Sequence, residues 1–146
     1  MSDVTPSAAY TITQDDRTMG SLAHFLQIAC SWIAPLVILL LKRDSLFVKF
    51  HALQALFLQI CFLAVSIVGA VAFMITILAT LPASGSSAQH VPPLVMIAGF
   101  GLFWVAIMGS WISVLVVAVV YGIKAGRGEW AGYPVIGRMA RQLLQF

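Results

Sequence analysis

His24 and His51 have the widest chemical repertoire of the residues in the apolar runs, because a neutral imidazole offers one donor and one acceptor nitrogen and can also ligate a metal. They lie in different apolar runs. A single crossing that starts near Met19 puts His24 near the outer end of a first span. His51 then falls near the inner end of a second. The two rings are expected about a membrane thickness apart, so no metal site or proton relay is expected. Cys30 and Cys61 sit inside apolar runs at similar depth, without nearby ligands, and read as small hydrophobes. The five acids all lie in the tail and loops, so no Ser/His/Asp set can be assembled. No catalytic residue, cofactor or metal is expected, and the chain reads as not an enzyme.

The remaining polar groups fall at helical spacings. His24, Gln27 and Ser31 share one face. His51, Ala55, Gln59, Ser66 and Gly69 form a second stripe, with Gln54 one turn from His51. Gly109 and Ser113 form a small-xxx-small pair, as do Ser66 and Ala70. In hydrocarbon such residues let helices approach closely and bond across the interface for about 0.6–2 kcal/mol each. Helix packing by His24, Gln27, Ser31, Gln59, Ser66 and Ser113 is therefore the first reading. The second is a polar conduit or substrate groove, which would more often carry an acid or base at mid-membrane.

The elements that must position these groups are apolar. Between Phe50 and Ile123 there is no Asp, Glu, Lys or Arg, and Thr18 to Leu41 is a second uncharged run. The 146 residues are 61% hydrophobic and 9% charged. A hydrocarbon core takes about 20 apolar residues per helix, and no run alternates as a membrane β-strand would. The reading is an all-α integral membrane bundle of three transmembrane helices with a C-terminal amphipathic interfacial helix. Residues 1–18 form a polar tail that lacks a signal-peptide pattern and is expected to stay on the protein. Residues 19–123 form the membrane domain, with crossings near 19–41, 55–78 and 94–123. Residues 124–146 form a basic segment. Pro35 is expected to kink the first span. The second apolar run, 45–81, is about 54 Å long as a helix. Pro82–Pro93 reads as a flexible loop, and the third run is expected to tilt or bend near Gly109-Ser110.

Three crossings collect Lys42, Arg43, Lys49, Lys124, Arg127, Arg138 and Arg141 on one side and leave Arg17 on the other. The positive-inside rule then sets the N-terminus outside and the C-terminus in the cytoplasm. The net charge of +3 orients the protein and contacts an anionic cytoplasmic leaflet, and no nucleic-acid partner is expected. In Val135–Phe146, Ile136, Met139 and Leu143 oppose Arg138, Arg141, Gln142 and Gln145. Such a helix either lies on the leaflet or packs on the span ends.

Three segments carry a family likeness. They are Arg17–His24 with Ala34-Pro35-Leu36 running into Lys42-Arg43-Asp44; SLFVKFHALQA, with Phe50, His51, Gln54 and Ala55 at its core; and KAGRGEWAGYP, with Ala125, Gly128, Glu129, Tyr133 and Pro134. Together, over about Asp16 to Ile136, the chain resembles a bacterial family of small membrane proteins of undefined function. These are distantly similar to the small multi-span subunit of the chloroplast inner-envelope (Tic) protein-import translocon. Many of the bacterial relatives enter the membrane through a helix–turn–helix, and the chloroplast subunit has four spans, where one shorter first span and three crossings are read here. The resemblance implies a bacterial inner-membrane address and a translocation or insertion role. On the residues themselves, Glu129 is expected to pair with Lys49 or Arg127, and Tyr133-Pro134 to set the turn into the last helix. Three functions stand: an accessory or structural subunit of a larger membrane complex, bound to other subunits or to itself; a translocation factor; and a small oligomeric channel or transporter. The first two differ in whether His51, Gln54 and the C-terminal helix are covered or left open to substrate.

Overall fold

A computed structural model describes residues 11–80 and 93–145. The first ten residues, Phe146 and nearly all of the Pro82–Pro93 stretch lie outside the described residues. Thr13 starts the first helix, α1 (Gln14–Cys30), with a capping box. The Thr13 hydroxyl accepts from the Asp16 amide at 3.1 Å, and the Asp16 carboxylate accepts from the Thr13 amide at 2.9 Å. Burial works against the Asp16 charge, but hydrogen bonds from Ser45 and Thr13, with Lys42 close by, hold the carboxyl below its ordinary 3.8. The stability this box contributes is therefore full above that value and lost as pH falls through the lower folded-state pKa.

The expected first crossing, 19–41, is not one helix. α1 stops at Ser31, whose φ of 52° and ψ of −135° no helix continues. After Trp32 a new helix, α2 (Ile33–Leu41), runs back. Pro35 therefore kinks nothing. It is the third residue of α2, in the first turn, where a missing N–H costs nothing because that amide has no intrahelical partner anyway. The chain folds as a helical hairpin, and Lys42 at its end is ion-paired with Asp15 at its start. Ala23, Ile38, Val48 and Ala52 fill the space between the two arms and the next helix, flanked by Met19, Leu22 and Leu39.

Among the described residues, two helices are long and apolar enough to cross a membrane. These are α3 (Leu46–Thr80) and α4 (Pro93–Gly126), which runs unbroken through Gly109 and Ser110. Two such helices replace the expected three. Each is about 50 Å long, more than the hydrocarbon core and close to a whole bilayer when tilted. The hairpin packs on the first half of α3 and the last half of α4. Gly20 admits the Phe47 ring, 3.0 Å from where a Cβ would stand, and Gly122 admits Phe25 at 2.9 Å. Beyond the hairpin, α3 and α4 hold each other chiefly through aromatic rings, with Phe73 stacked on Phe103 at 4.7 Å. Their other faces are bare, with Val68 and Leu102 68% and 71% exposed.

The start of α1 and the end of α4 share one end of the bundle. Ser21 donates to the Gly122 carbonyl at 2.8 Å, and the Arg17 side chain lies against Gly128, which turns the chain at φ +80°. Arg17 therefore joins the other seven cations, and the expected placement of the tail opposite the C-terminal segment does not hold for the described residues. The last helix, α5 (Ile136–Leu144), packs on α3 through Gly137 and Ala140. Met139 and Leu143, from the predicted apolar stripe, face outward at 47% and 61% exposure.

This topology has a direct check. Single cysteines at Gln14 and Arg138, both exposed, placed in a Cys30→Ser/Cys61→Ser background, will react with a membrane-impermeant maleimide from the same side of sealed vesicles. Labelling from opposite sides would restore three crossings.

Candidate functional site

The first turns of α3 present Phe50, His51, Gln54 and Ala55 inward, a pattern of i, i+1, i+4 and i+5 that fits one helix face. All four are fully buried. The cover is the chain between α4 and α5, residues 127–135. There the peptide groups of an irregular segment, which would go unpaired in an apolar setting, take their bonds from the α3 side chains. Gln54 Oε1 accepts from the Tyr133 amide at 2.7 Å, and its Nε2 donates to the Phe50 carbonyl at 3.3 Å and reaches the Ala131 carbonyl at 3.5 Å. Trp130 caps the same face, with its ring 5.1 Å from Phe47 and 5.6 Å from Phe50. The Arg141 guanidinium sits 5.5 Å from the Phe50 ring.

The expected separation of His24 and His51 is overturned. His24 Nε2 lies 3.1 Å from His51 Nδ1, with both rings 0% exposed. The hairpin is the reason, since α1 enters from the same end as α3 and the two histidines reach the same depth. His51 Nε2 lies 3.1 Å from the Glu129 carbonyl, and the Tyr133 hydroxyl lies 2.9 Å from His24 Nδ1. A carbonyl can only accept, which assigns every proton along the line. His51 donates from Nε2 to Glu129, His24 donates from Nε2 to His51 Nδ1, and Tyr133 donates to His24 Nδ1. Both imidazoles are then neutral, and all four ring nitrogens are occupied. Burial keeps the Tyr133 hydroxyl protonated well above the usual phenol range, as its donor role requires.

Glu129 contributes its carbonyl rather than its charge. Its side chain is exposed and forms no ion pair among the described residues, so the expected pairing with Lys49 or Arg127 does not form. Pro134 is exposed beside this knot, the buried hydrogen bonds that join His24, His51 and Gln54 to residues 129–133. Of the predicted packing residues, Gln59 holds α1 to α3 by donating to the Gln27 carbonyl at 3.0 Å. The Gln27 side chain is 1% exposed and lines a cavity of about 100 Å³ with Ser31, Gln59 and Trp111. Ser113 and Ser66 stand apart from the knot. Ser113 is exposed and donates within α4 to the Gly109 carbonyl at 2.8 Å, and nothing lies within 4 Å of a Cβ built on Gly109. Ser66 is half-buried. Among the described residues no three His, Cys, Asp or Glu gather as a metal would need.

Sequence reasoning missed Tyr121 and three glycines. Tyr121 donates to the Gly132 carbonyl at 3.3 Å and meets the Tyr133 ring edge-on at 4.4 Å. Its signal was the series Ala118, Tyr121-Gly122, Ala125, small residues recurring at helical spacing on one face of α4. Gly132 and Gly137 touch backbone to backbone, and a Cβ on Gly137 would stand 2.7 Å from the Gly132 Cα. Gly20 allows the close approach of α1 to α3.

The knot's energetics can be tested by unfolding in detergent. Tyr133→Phe leaves His24 Nδ1 buried without a donor and should destabilise by about 1–3 kcal/mol, more than Tyr121→Phe at about 0.5–1.5 kcal/mol. Gly137→Ala forces two backbone segments apart and should cost about 1–3 kcal/mol.

No solved structure matches this chain. A UPF0132 membrane protein of Methanocaldococcus jannaschii is 28% identical over 127 residues, covering 87% of this chain and 69% of that one. The likeness to the import translocon does not emerge from these comparisons. A family model matches residues 15–140, the span that holds the hairpin, the knot and both long helices. The chain belongs to the MamF/MmsF family of magnetosome magnetite crystal formation proteins.

Proposed function

We propose that this chain is a non-catalytic, multi-pass membrane protein that serves as a structural subunit of a membrane assembly, and that its family's role in magnetite crystal formation applies to it. The observation that carries the reading is the closure of the knot. His51 and Gln54, the polar pair that a substrate-handling protein would leave open, are 0% exposed and spend their hydrogen bonds on the chain's own 129–133 segment. A translocation or channel role would need a polar face open to its cargo. The polar residues here brace the basic end of the bundle instead. The bare outer halves of α3 and α4 leave wide apolar faces for lipid, for other subunits or for a second copy.

The basic end is assigned to the cytoplasm. With the hairpin in place, Arg17, Lys42, Arg43, Lys49, Lys124, Arg127, Arg138 and Arg141 all lie there, the pattern that positive-inside insertion produces. Both the start of α1 and the C-terminal segment then face the cytoplasm, in a bacterial inner membrane or a membrane derived from it. There α5 sets Met139 and Leu143 toward the bilayer, with Arg138 near anionic headgroups.

In a host that depends on this protein, Tyr133→Phe and Gln54→Leu should lower function only as far as they lower its level in the membrane. Raising expression should restore it. Full membrane levels without function would assign the knot a chemical or cargo-binding role. Native mass spectrometry of the mild-detergent extract should return the chain at fixed stoichiometry with other subunits or itself, and a lone monomer would overturn the subunit reading.

A further inference from the structure

The two ends of this molecule have different widths. At the basic end four helices stand side by side, α1, α2, α3 and α4, and α5 packs on α3. At the other end, among the described residues, only α3 and α4 continue. The hairpin's depth locates the change in width. From Met19 to the break at Ser31, α1 rises about 18 Å, and α2 returns over nine residues. A bilayer with its headgroups is about 40–45 Å thick, so the hairpin occupies one leaflet and stops near the middle.

Its outer surface belongs in lipid. α2 has no charged residue, and Trp32, Ile33, Val37, Leu40 and Leu41 are turned outward, Leu41 at 75% exposure. On α1, Leu26 is exposed as well. A helix about 10 Å across occupies about 80 Å² of membrane plane, so the basic-end leaflet gives up about 160 Å² more per copy than the other.

The hairpin is also held rigidly enough to keep that shape. Its arms are tied to each other by Lys42 and Asp15, to α3 by His24 with His51 and by Gln59, and to α4 by Ser21. From this geometry we infer a further function: the protein is a membrane-curvature wedge, which favours bilayers whose basic-end leaflet is the convex one. The partner is the lipid bilayer itself, recognised by shape, with the surrounding cations adding attraction for anionic headgroups. Given the cytoplasmic assignment of the basic end, the wedge directs the protein to membranes that bulge into the cytoplasm. The inference rests on the hairpin topology adopted under the proposed function.

The test uses the full chain with a fluorophore appended after its last residue. It is reconstituted into giant vesicles of phosphatidylcholine and phosphatidylglycerol, from which narrow tubes are pulled outward. An external quencher separates copies with the basic end outside from those with it inside. Relative to a lipid dye, basic-end-out copies should be enriched several-fold in the tube and basic-end-in copies depleted. Equal partitioning of both populations would overturn the wedge. The variant Trp32→Ala/Ile33→Ala/Val37→Ala/Leu40→Ala thins the lipid-facing side of α2 and spares its packed side. It should bring both ratios toward one while melting with the parent, and unchanged sorting would assign the effect to something other than the hairpin. Same-side labelling at Gln14 and Arg138 in these vesicles distinguishes the two failures. Opposite-side labelling overturns the topology and the wedge with it, whereas same-side labelling without sorting overturns the wedge alone.

Discussion

The hydrogen-bonded line from Tyr133 through His24 and His51 to the Glu129 carbonyl joins three parts of the chain that are far apart in sequence: the entry helix, the start of the first long span and the loop that follows the second. In water such a line would be worth little, because each group could bond to solvent instead. Here every member is buried, and a broken link strands a polar atom in apolar surroundings. This asymmetry makes the line a constraint on the fold. α1 must enter from the basic end to bring His24 to His51, and the 127–135 segment must fold back over α3 to offer its carbonyl. The glycines at 20, 122, 132 and 137 are the spatial counterpart of that requirement, since the first two make room for the Phe47 and Phe25 rings and the last two let backbones touch.

The same constraint explains why two segments that the sequence analysis singled out lie where they do. SLFVKFHALQA and GRGEWAGYP are far apart along the chain but form the two halves of one joint, side chains from the first and peptide groups from the second. A joint of this kind carries no reactive group that is free. Its neutral imidazoles are fully used, and its charged neighbour Glu129 points away. It is suited to holding an unusual backbone arrangement at the membrane surface, and the arrangement it holds is the hairpin, the feature that makes one leaflet side of the molecule wider than the other.

The composition determined the membrane class by itself. A run from Phe50 to Ile123 without Asp, Glu, Lys or Arg has no stable place in water, and hydrophobicity needs no tertiary information to be read. The sequence marked Phe50, His51, Gln54 and Ala55 as a group beside a basic loop, but their burial on one inward face of α3 came from the fold. The clustering of cations was legible in seven positions of eight, and the eighth, Arg17, was misplaced only because the hairpin was not seen.

Tertiary structure alone decided the hairpin, and with it the meeting of the two histidines. Thr18 to Leu41 is long enough to cross a bilayer, and nothing in its hydropathy tells a crossing from a turn back. A proline inside an apolar run reads equally as a kink in one helix or as the first turn of the next. The choice depends on whether Ser31 takes a left-handed φ, and that is settled by what the two arms pack against: Val48 and Ala52 of α3, Gly122 of α4, and the ion pair that closes the hairpin's mouth. Those contacts are non-local, so local sequence carries no sign of them. The same reason hid the role of the Glu129 carbonyl, because a backbone acceptor has no residue type to announce it.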